Sequence, residues 1–221
     1  MSDLFTLSGP GFPPMAGGKA AALVILLHGW GADGNDLIGL APHWAPALPH
    51  VEFLSPHGPF PCDMGFGRQW FSIADRSPER IMAGVRATAP ALDGFIDEAL
   101  AARGLDASRL ALVGFSQGTM MALHVALRRQ QAVAGVLGYS GRLIAGPALA
   151  DEIASRPPVL LIHGTADEMI PLEAMREAKR LLEVLGVAVE AHERPGLGHG
   201  IDEFGLAAGG RFLARVLAAK A

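Results

Sequence analysis

A single cysteine, Cys62, stands in 221 residues. No disulfide can therefore close within the chain, which fits a reducing compartment and makes the cytoplasm the expected location. The side chain itself reads as a small, half-buried filler. No apolar run approaches the ~18–20 residues of a membrane-spanning helix, so no stable membrane insertion is expected. The first fifteen residues lack a basic segment followed by an apolar one, the mark of a secretory signal. There is no Lys/Arg cluster, and the net charge of −4 gives no reason to expect a nucleic-acid partner. Neither H-E-x-x-H nor C-x-x-C spacing occurs, so neither a metal nor another cofactor is expected. No internal repeat stands out either.

What is present is half hydrophobic and only 18% charged, the composition of a well-buried globular chain. The length suits one domain spanning residues 1–221. The 28 glycines and 16 prolines punctuate periodic segments and do not gather into a linker. Leu4-Phe5-Thr6-Leu7 reads as a short edge strand, and the following segment to Lys19 as loop. Ala21 to Leu27 is apolar on both faces, as a strand buried between two helix layers must be. A Gly-rich turn follows, with Asn35 or Asp36 as cap for a helix through Leu37 to Trp44. Val51 to Pro56 is the next strand.

Residues His57 to Asp75 read as a long loop, and loops of that length tend to be functional. Ser77-Pro78 opens a helix with an apolar stripe at Ile81, Val85, Ala89, Leu92, Ile96 and Ala99; Pro90 is expected to kink it. Further strands are expected at Arg109–Val113, Val133–Tyr139, Pro158–Gly164 and Val187–His192, with helices Leu172–Leu185 and Ile201–Ala219 between and after them. The last helix is weakened by Gly209-Gly210. Strands alternating with helices at these spacings predict an α/β fold: a mostly parallel twisted sheet with helices on both faces.

The chemistry centres on Gly114-Phe115-Ser116-Gln117-Gly118. A serine between two glycines, with a strand pattern before it and a helix pattern after it, describes a nucleophile elbow. The sharp turn holds the serine in a strained conformation where flanking side chains would collide. Its Oγ is thereby presented at a helix N-terminus, whose partial positive charge favours an oxyanion. A His28-Gly29 turn after a buried strand is where a second oxyanion donor would arise, the backbone N–H of Trp30. The alternative is a plain turn with His28 bonded locally.

A serine nucleophile needs a base within reach and a carboxylate to orient that base. In a parallel sheet these groups gather on loops at the carboxyl ends of strands. Two loops fit: His163-Gly164-Thr165-Ala166-Asp167 and Gly196-Leu197-Gly198-His199-Gly200. Asp167 and His199 follow Ser116 in the order Ser, Asp, His. Glu168 competes as the acid, but its side chain should leave the loop in another direction. Among rival bases His124 lies inside the elbow helix, His163 precedes a turn glycine and His192 sits before the loop. His43, His50 and His57 fall in the first quarter of the chain.

Together, Leu27-His28-Gly29, Gly114-Phe115-Ser116-Gln117-Gly118, Gly164-Thr165-Ala166-Asp167 and Gly198-His199 resemble the small carboxylesterases and the acyl-protein thioesterase/lysophospholipase relatives within the α/β-hydrolase superfamily. The four motifs fall in order from about residue 20 to the end. The resemblance implies an α/β-hydrolase fold without a large cap domain, Ser116 as nucleophile, Asp167 as acid, His199 as base, and backbone donors at Trp30 and Gln117. Three positions depart from the family pattern. Trp30 stands where leucine is usual, and its indole is expected to narrow the pocket beside the reacting carbonyl. Gly200 replaces the usual serine, and Thr119 a frequent glycine.

The expected activity is hydrolysis of short- to medium-chain acyl esters, or of thioesters or lysophospholipids, through an acyl-enzyme. A histidine base makes the rate fall on acidification, in the ordinary range near ~6.5. Met169, Ile170, Trp70 and the loop around Phe66 are expected to form an apolar acyl pocket. Trp70 can equally be read as anchoring its loop to the core, the role expected of Phe71. The partner is then a small-molecule ester, and the chain a monomer or homodimer. Two other readings use the same residues: an acyltransferase or perhydrolase, and a non-catalytic α/β-hydrolase-like binding protein.

Overall fold

The computed structural model describes residues 6–218. β1 (Gly11–Phe12) is followed by β2 (Ala22–Leu27), by two single turns of helix, α1 (Gly34–Leu37) and α2 (Ala41–Trp44), and by β3 (Val51–Leu54). A small hairpin, β4 (Phe60–Pro61) and β5 (Arg68–Gln69), precedes the long helix α3 (Pro78–Ala101). Then come β6 (Leu110–Phe115), α4 (Gln117–Arg128), β7 (Gly135–Tyr139) and α5 (Leu149–Glu152). The chain closes with β8 (Val159–Gly164), α6 (Leu172–Val184), β9 (Val189–Arg194) and α7 (Glu203–Leu217).

The main sheet runs β1-β3-β2-β6-β7-β8-β9. Every pairing is parallel except β1 on β3. Alternating residues of β2 divide between two cores. Leu23, Ile25 and Leu27 pack with α3, α4 and α6, whereas Ala22, Val24 and Leu26 pack with α2 and α7. A strand covered on both sides must be apolar at every position, which is why β2 reads ALVILL. The order of strands reverses between β2 and β6: the chain steps outward to β3 on one side and continues through β7 on the other. Loops leaving the carboxyl ends of β2 and β6 therefore diverge and leave a crevice at that point. Among the described residues no cap domain interrupts this arrangement.

Several expectations are corrected. The edge strand is Gly11–Phe12, inside the segment read as loop; Thr6 and Leu7 are not in a strand, and Leu4 and Phe5 lie outside the described residues. Antiparallel pairing of Gly11 with Leu54 and Phe12 with Phe53 outweighs the weak strand propensity of glycine there. The helix after β2 is capped by Asp33, whose side chain accepts from the Asn35 N–H, and it breaks into two turns around a 3₁₀ segment at Ile38–Leu40. Ser77 opens α3 without a side-chain capping bond, and the helix continues unbroken through exposed Pro90. The long loop carries its own hairpin.

The last strand lies two residues later than expected, because Val187 closes the α6 turn by bonding to Leu182. It forms the sheet edge and carries Glu190, His192, Glu193 and Arg194. α7 starts after an Asp202 cap; the part of the expected helix at Ala219 lies outside the described residues. Its glycines are a packing requirement. A Cβ at Gly209 would lie 2.1 Å from the Tyr139 hydroxyl, which donates to the Gly205 carbonyl.

Candidate active site

Ser116 sits between the end of β6 and the start of α4 with φ 54° and ψ −115°, one of two non-glycine residues with positive φ among those described. That conformation is disfavoured for an L-residue and persists only where its surroundings over-determine it. Here the two glycines explain how. A Cβ on Gly114 would meet the Thr119 nitrogen at 2.4 Å, in the first turn of α4, and a Cβ on Gly118 would lie 1.8 Å from the Leu27 carbonyl at the end of β2. Missing side chains let the helix press against both central strands. The Ser116 N–H donates to Tyr139 O at 2.9 Å, fixing the turn to β7. The N–H of Gln117 is the first of its helix, with no carbonyl a turn earlier to bind.

The second loop is held by the long segment that follows β3. The Trp30 indole donates to the Gln69 side chain at 2.8 Å, Gly31 N–H to Arg68 O at 2.9 Å, and Arg68 N–H to Ala32 O at 2.8 Å. His28 is fully buried beneath it. Its Nδ1–H donates to Gly29 O (2.7 Å) and its Nε2 accepts from Gly58 N–H (2.8 Å), a complete pairing for a neutral imidazole. Burial pushes its pKa below the usual histidine range. Gln117 reaches the same segment from the elbow, accepting from Trp70 N–H and donating to Phe71 O. The loops after β2 and β6 are thus joined through one shared segment.

Asp167 and His199 meet as expected. His199 Nδ1 is 2.8 Å from Asp167 Oδ2, while Asp167 Oδ1 accepts from the backbone N–H groups of Met169 and Ile170, each at 2.9 Å. Burial acts to raise the carboxyl pKa. The bonds from Ile170, His199 and Met169 outweigh it and hold the group below the usual carboxylate range. Since the carboxylate only accepts, Nδ1 of His199 carries the proton and Nε2 is left free to act. The ring rests on Phe115, centroid to centroid 4.9 Å. Ser116 and His199 both line a single cavity of about 740 Å³ at the crevice between the β2 and β6 loops. Gly29, Trp30, Met169 and Ile170 also line it.

The phospholipase/carboxylesterase family profile matches residues 15–217. The chain belongs to this family. It is 28% identical over 202 residues to acyl-protein thioesterase 1 of Gibberella zeae, covering 83% of this chain and 86% of that protein. It is likewise 28% identical over 200 residues to lysophospholipase-like protein 1 of Mus musculus, covering 84% and 83%. Among solved structures, esterase PE8 is 39% identical, with a TM-score of 0.92 over 96% of this chain and 100% of its own. The fold is that of the α/β-hydrolases, and the chain is an enzyme of the serine ester-hydrolase type.

Within that family frame, the chain's own substitutions have visible consequences. Thr119 bonds Gly114 O (2.8 Å) and Tyr139 O (2.9 Å), and room for it comes from Gly141, where a Cβ would lie 2.3 Å from the Thr119 Cβ. Gly200 borders open space and its carbonyl accepts from Ser140 Oγ at 3.3 Å. Trp70 is not a pocket residue: it is fully buried and its indole donates to His28 O at 3.0 Å, so it anchors its loop. Phe71 does the same. Phe66 is 65% exposed and stands outside the cavity wall. An apolar run on a loop looks alike whether it faces ligand or core, and only the packing separates the two.

His163, set aside on sequence as a turn residue, ends β8 in full burial. Its Nε2 lies 2.8 Å from Ile170 O and 3.2 Å from Asp167 Oδ2. Both neighbours are acceptors, so Nε2 carries the proton and buttresses the carboxylate from behind. Among the described residues no three His, Cys, Asp or Glu side chains gather as a metal site.

Proposed function

We propose that the chain is a serine carboxylesterase for short- to medium-chain acyl esters, with Ser116 as nucleophile, His199 as general base and Asp167 as the carboxylate that orients it. The reading is carried by the His199–Asp167 pair and a positive-φ serine at a helix N-terminus lining one cavity. In the first half-reaction His199 Nε2 takes the Ser116 proton as Oγ attacks the acyl carbonyl, and Asp167 stabilises the imidazolium. The N–H groups of Gln117 and Trp30 receive the tetrahedral oxyanion, each contributing roughly 3–4 kcal/mol by comparison with measured donors. His199 then protonates the leaving alcohol. In the second half, water deprotonated by His199 attacks the acyl-enzyme and releases the acid.

Ile81, Met120, Ile144 and Ile170 on the cavity wall suit an aliphatic acyl chain. Thioesters follow the same two steps with a better leaving group, in keeping with the name of the Gibberella zeae relative. The test is a p-nitrophenyl ester series from acetate to palmitate on the wild type and Ser116→Ala. Turnover is expected to peak at short to medium chains and to fall by roughly 10⁴-fold or more in the variant. No turnover by the wild type, with no labelling by a fluorophosphonate, refutes the assignment.

A further inference from the structure

The half-buried arginines of this chain are met by acceptors, with one exception. Among the described residues Arg103 binds Glu52, Arg128 binds Glu152, Arg129 binds Asp93 and Asp97, and Arg194 binds Asp202. Arg68 and Arg109 donate to backbone carbonyls. Arg142 is half-buried and has neither hydrogen bond nor ion pair among them. It lies on the wall of the cavity that holds Ser116 and His199. The loop that carries it is pinned at its base. Ser140 N–H donates to Ile162 O, Ser140 Oγ to Gly200 O beside His199, and Gly141 packs on Thr119 behind the nucleophile. A guanidinium on a cavity wall that no protein acceptor engages is open to an acceptor brought by whatever enters the cavity, and its planar fork of donors is matched best by an oxyacid.

We propose that Arg142 is a substrate-specificity residue whose acceptor is a carboxylate borne by the ester itself, so that the preferred substrates are carboxylate-bearing esters. This rests on the Ser116 cavity being the ester site. A carboxylate fits better than a phosphate. The other charged residues of the cavity wall, all exposed, are Arg76, Asp36, Glu173 and Glu177. With Arg142 that makes three carboxylates against two cations, and Glu173 is already engaged by Arg176. A net negative rim repels a dianion more than a single charge. The apolar wall would hold the chain between ester and carboxylate.

The experiment compares matched pairs in the wild type, Arg142→Leu and Arg142→Lys. On the acyl side the pair is p-nitrophenyl hemiglutarate and p-nitrophenyl pentanoate; on the alcohol side it is 4-carboxyphenyl butyrate and 4-methylphenyl butyrate. The quantity read is the ratio of kcat/KM, charged over neutral, and its change between proteins cancels the intrinsic reactivity of each ester. In Arg142→Leu that ratio is expected to fall about tenfold or more for one pair, with Arg142→Lys recovering part of it. The pair that responds tells which side of the ester carries the charge. Ratios unchanged within about twofold for both pairs overturn the proposal. A reading that needs no variant is inhibition of wild-type p-nitrophenyl butyrate turnover by glutarate. Competitive inhibition that weakens with added salt is expected, and its absence up to tens of millimolar counts against a carboxylate site. If the wild type turns over none of the esters, the esterase reading has failed and Arg142 is not what was tested.

Discussion

Asp167 shows how much a single side chain carries here. Each of its oxygens is engaged: one by two backbone N–H groups, the other by His199 with His163 behind it. Asp167→Asn keeps the shape but places an amide where a pure acceptor stood. His199 can then turn its protonated nitrogen toward Ser116, the wrong tautomer for a base. The expected result is a fall in kcat of roughly 10³–10⁴-fold with little change in KM, read by steady-state kinetics on p-nitrophenyl butyrate. Equal activity of the variant would remove Asp167 from the mechanism. The three positions proposed as the triad could be singled out in the sequence because each is bound to a strand end and to a glycine-rich turn, signals that survive without coordinates. His163 was not, since nothing in a lone His-Gly dipeptide reveals that the ring faces the carboxylate four residues on. Arg142 was silent for a related reason: an unmet charge is a property of its neighbours in space.

At the scale of elements, the contact between the elbow helix and the end of β2 is the tightest in the site. Gly118→Ala sets a methyl 1.8 Å from the Leu27 carbonyl, backbone against backbone, so α4 must shift relative to β2. We expect a loss of at least about 2–3 kcal/mol in urea unfolding, together with loss of turnover, because the shift moves Gln117 relative to the loop after β2. A variant as stable and as active as the wild type would show the interface to be pliable. The central strands and α3, α4, α6 and α7 could be read from periodicity, since strands buried on both faces and a striped surface helix leave unambiguous patterns. The periphery could not. β1 and the β4–β5 hairpin are two-residue pieces created by pairing, and the helix before β3 starts from an Asp33 cap, two or three residues before the expected one, and breaks at Ile38–Leu40. The choice between cavity and core for Trp70 could not be made from sequence, because its polar partner, the His28 carbonyl, is 42 positions away.

For the molecule as a whole, buried histidines set the response to acid. His124 lies on the inner face of α4 near Arg128, Arg86 and Glu152, and burial first, then the two arginines, lowers its pKa to about 4. His28 is shifted in the same direction by burial. Both fold as neutral rings, whereas the unfolded chain takes up a proton near the ordinary value of about 6.5. Their contribution to stability is therefore full above that pH and lost progressively as the pH drops from there toward 4. For His124 alone the loss amounts to about 3 kcal/mol at most. Urea midpoints measured from pH 7.5 to 4.5 should decline in the wild type and decline less in His124→Leu; parallel curves would rule out this residue as a source.

The charged β9 edge has a bearing on what these molecules can do to one another. One border of the sheet is closed by a strand two residues long, and the other displays Glu190, His192, Glu193 and Arg194 along its length. A second sheet approaching either border finds too few free N–H and carbonyl groups on one side and fixed charge on the other. Strand-to-strand stacking of native copies is disfavoured at both borders of the described sheet, which turns contacts between neighbours toward the helical faces.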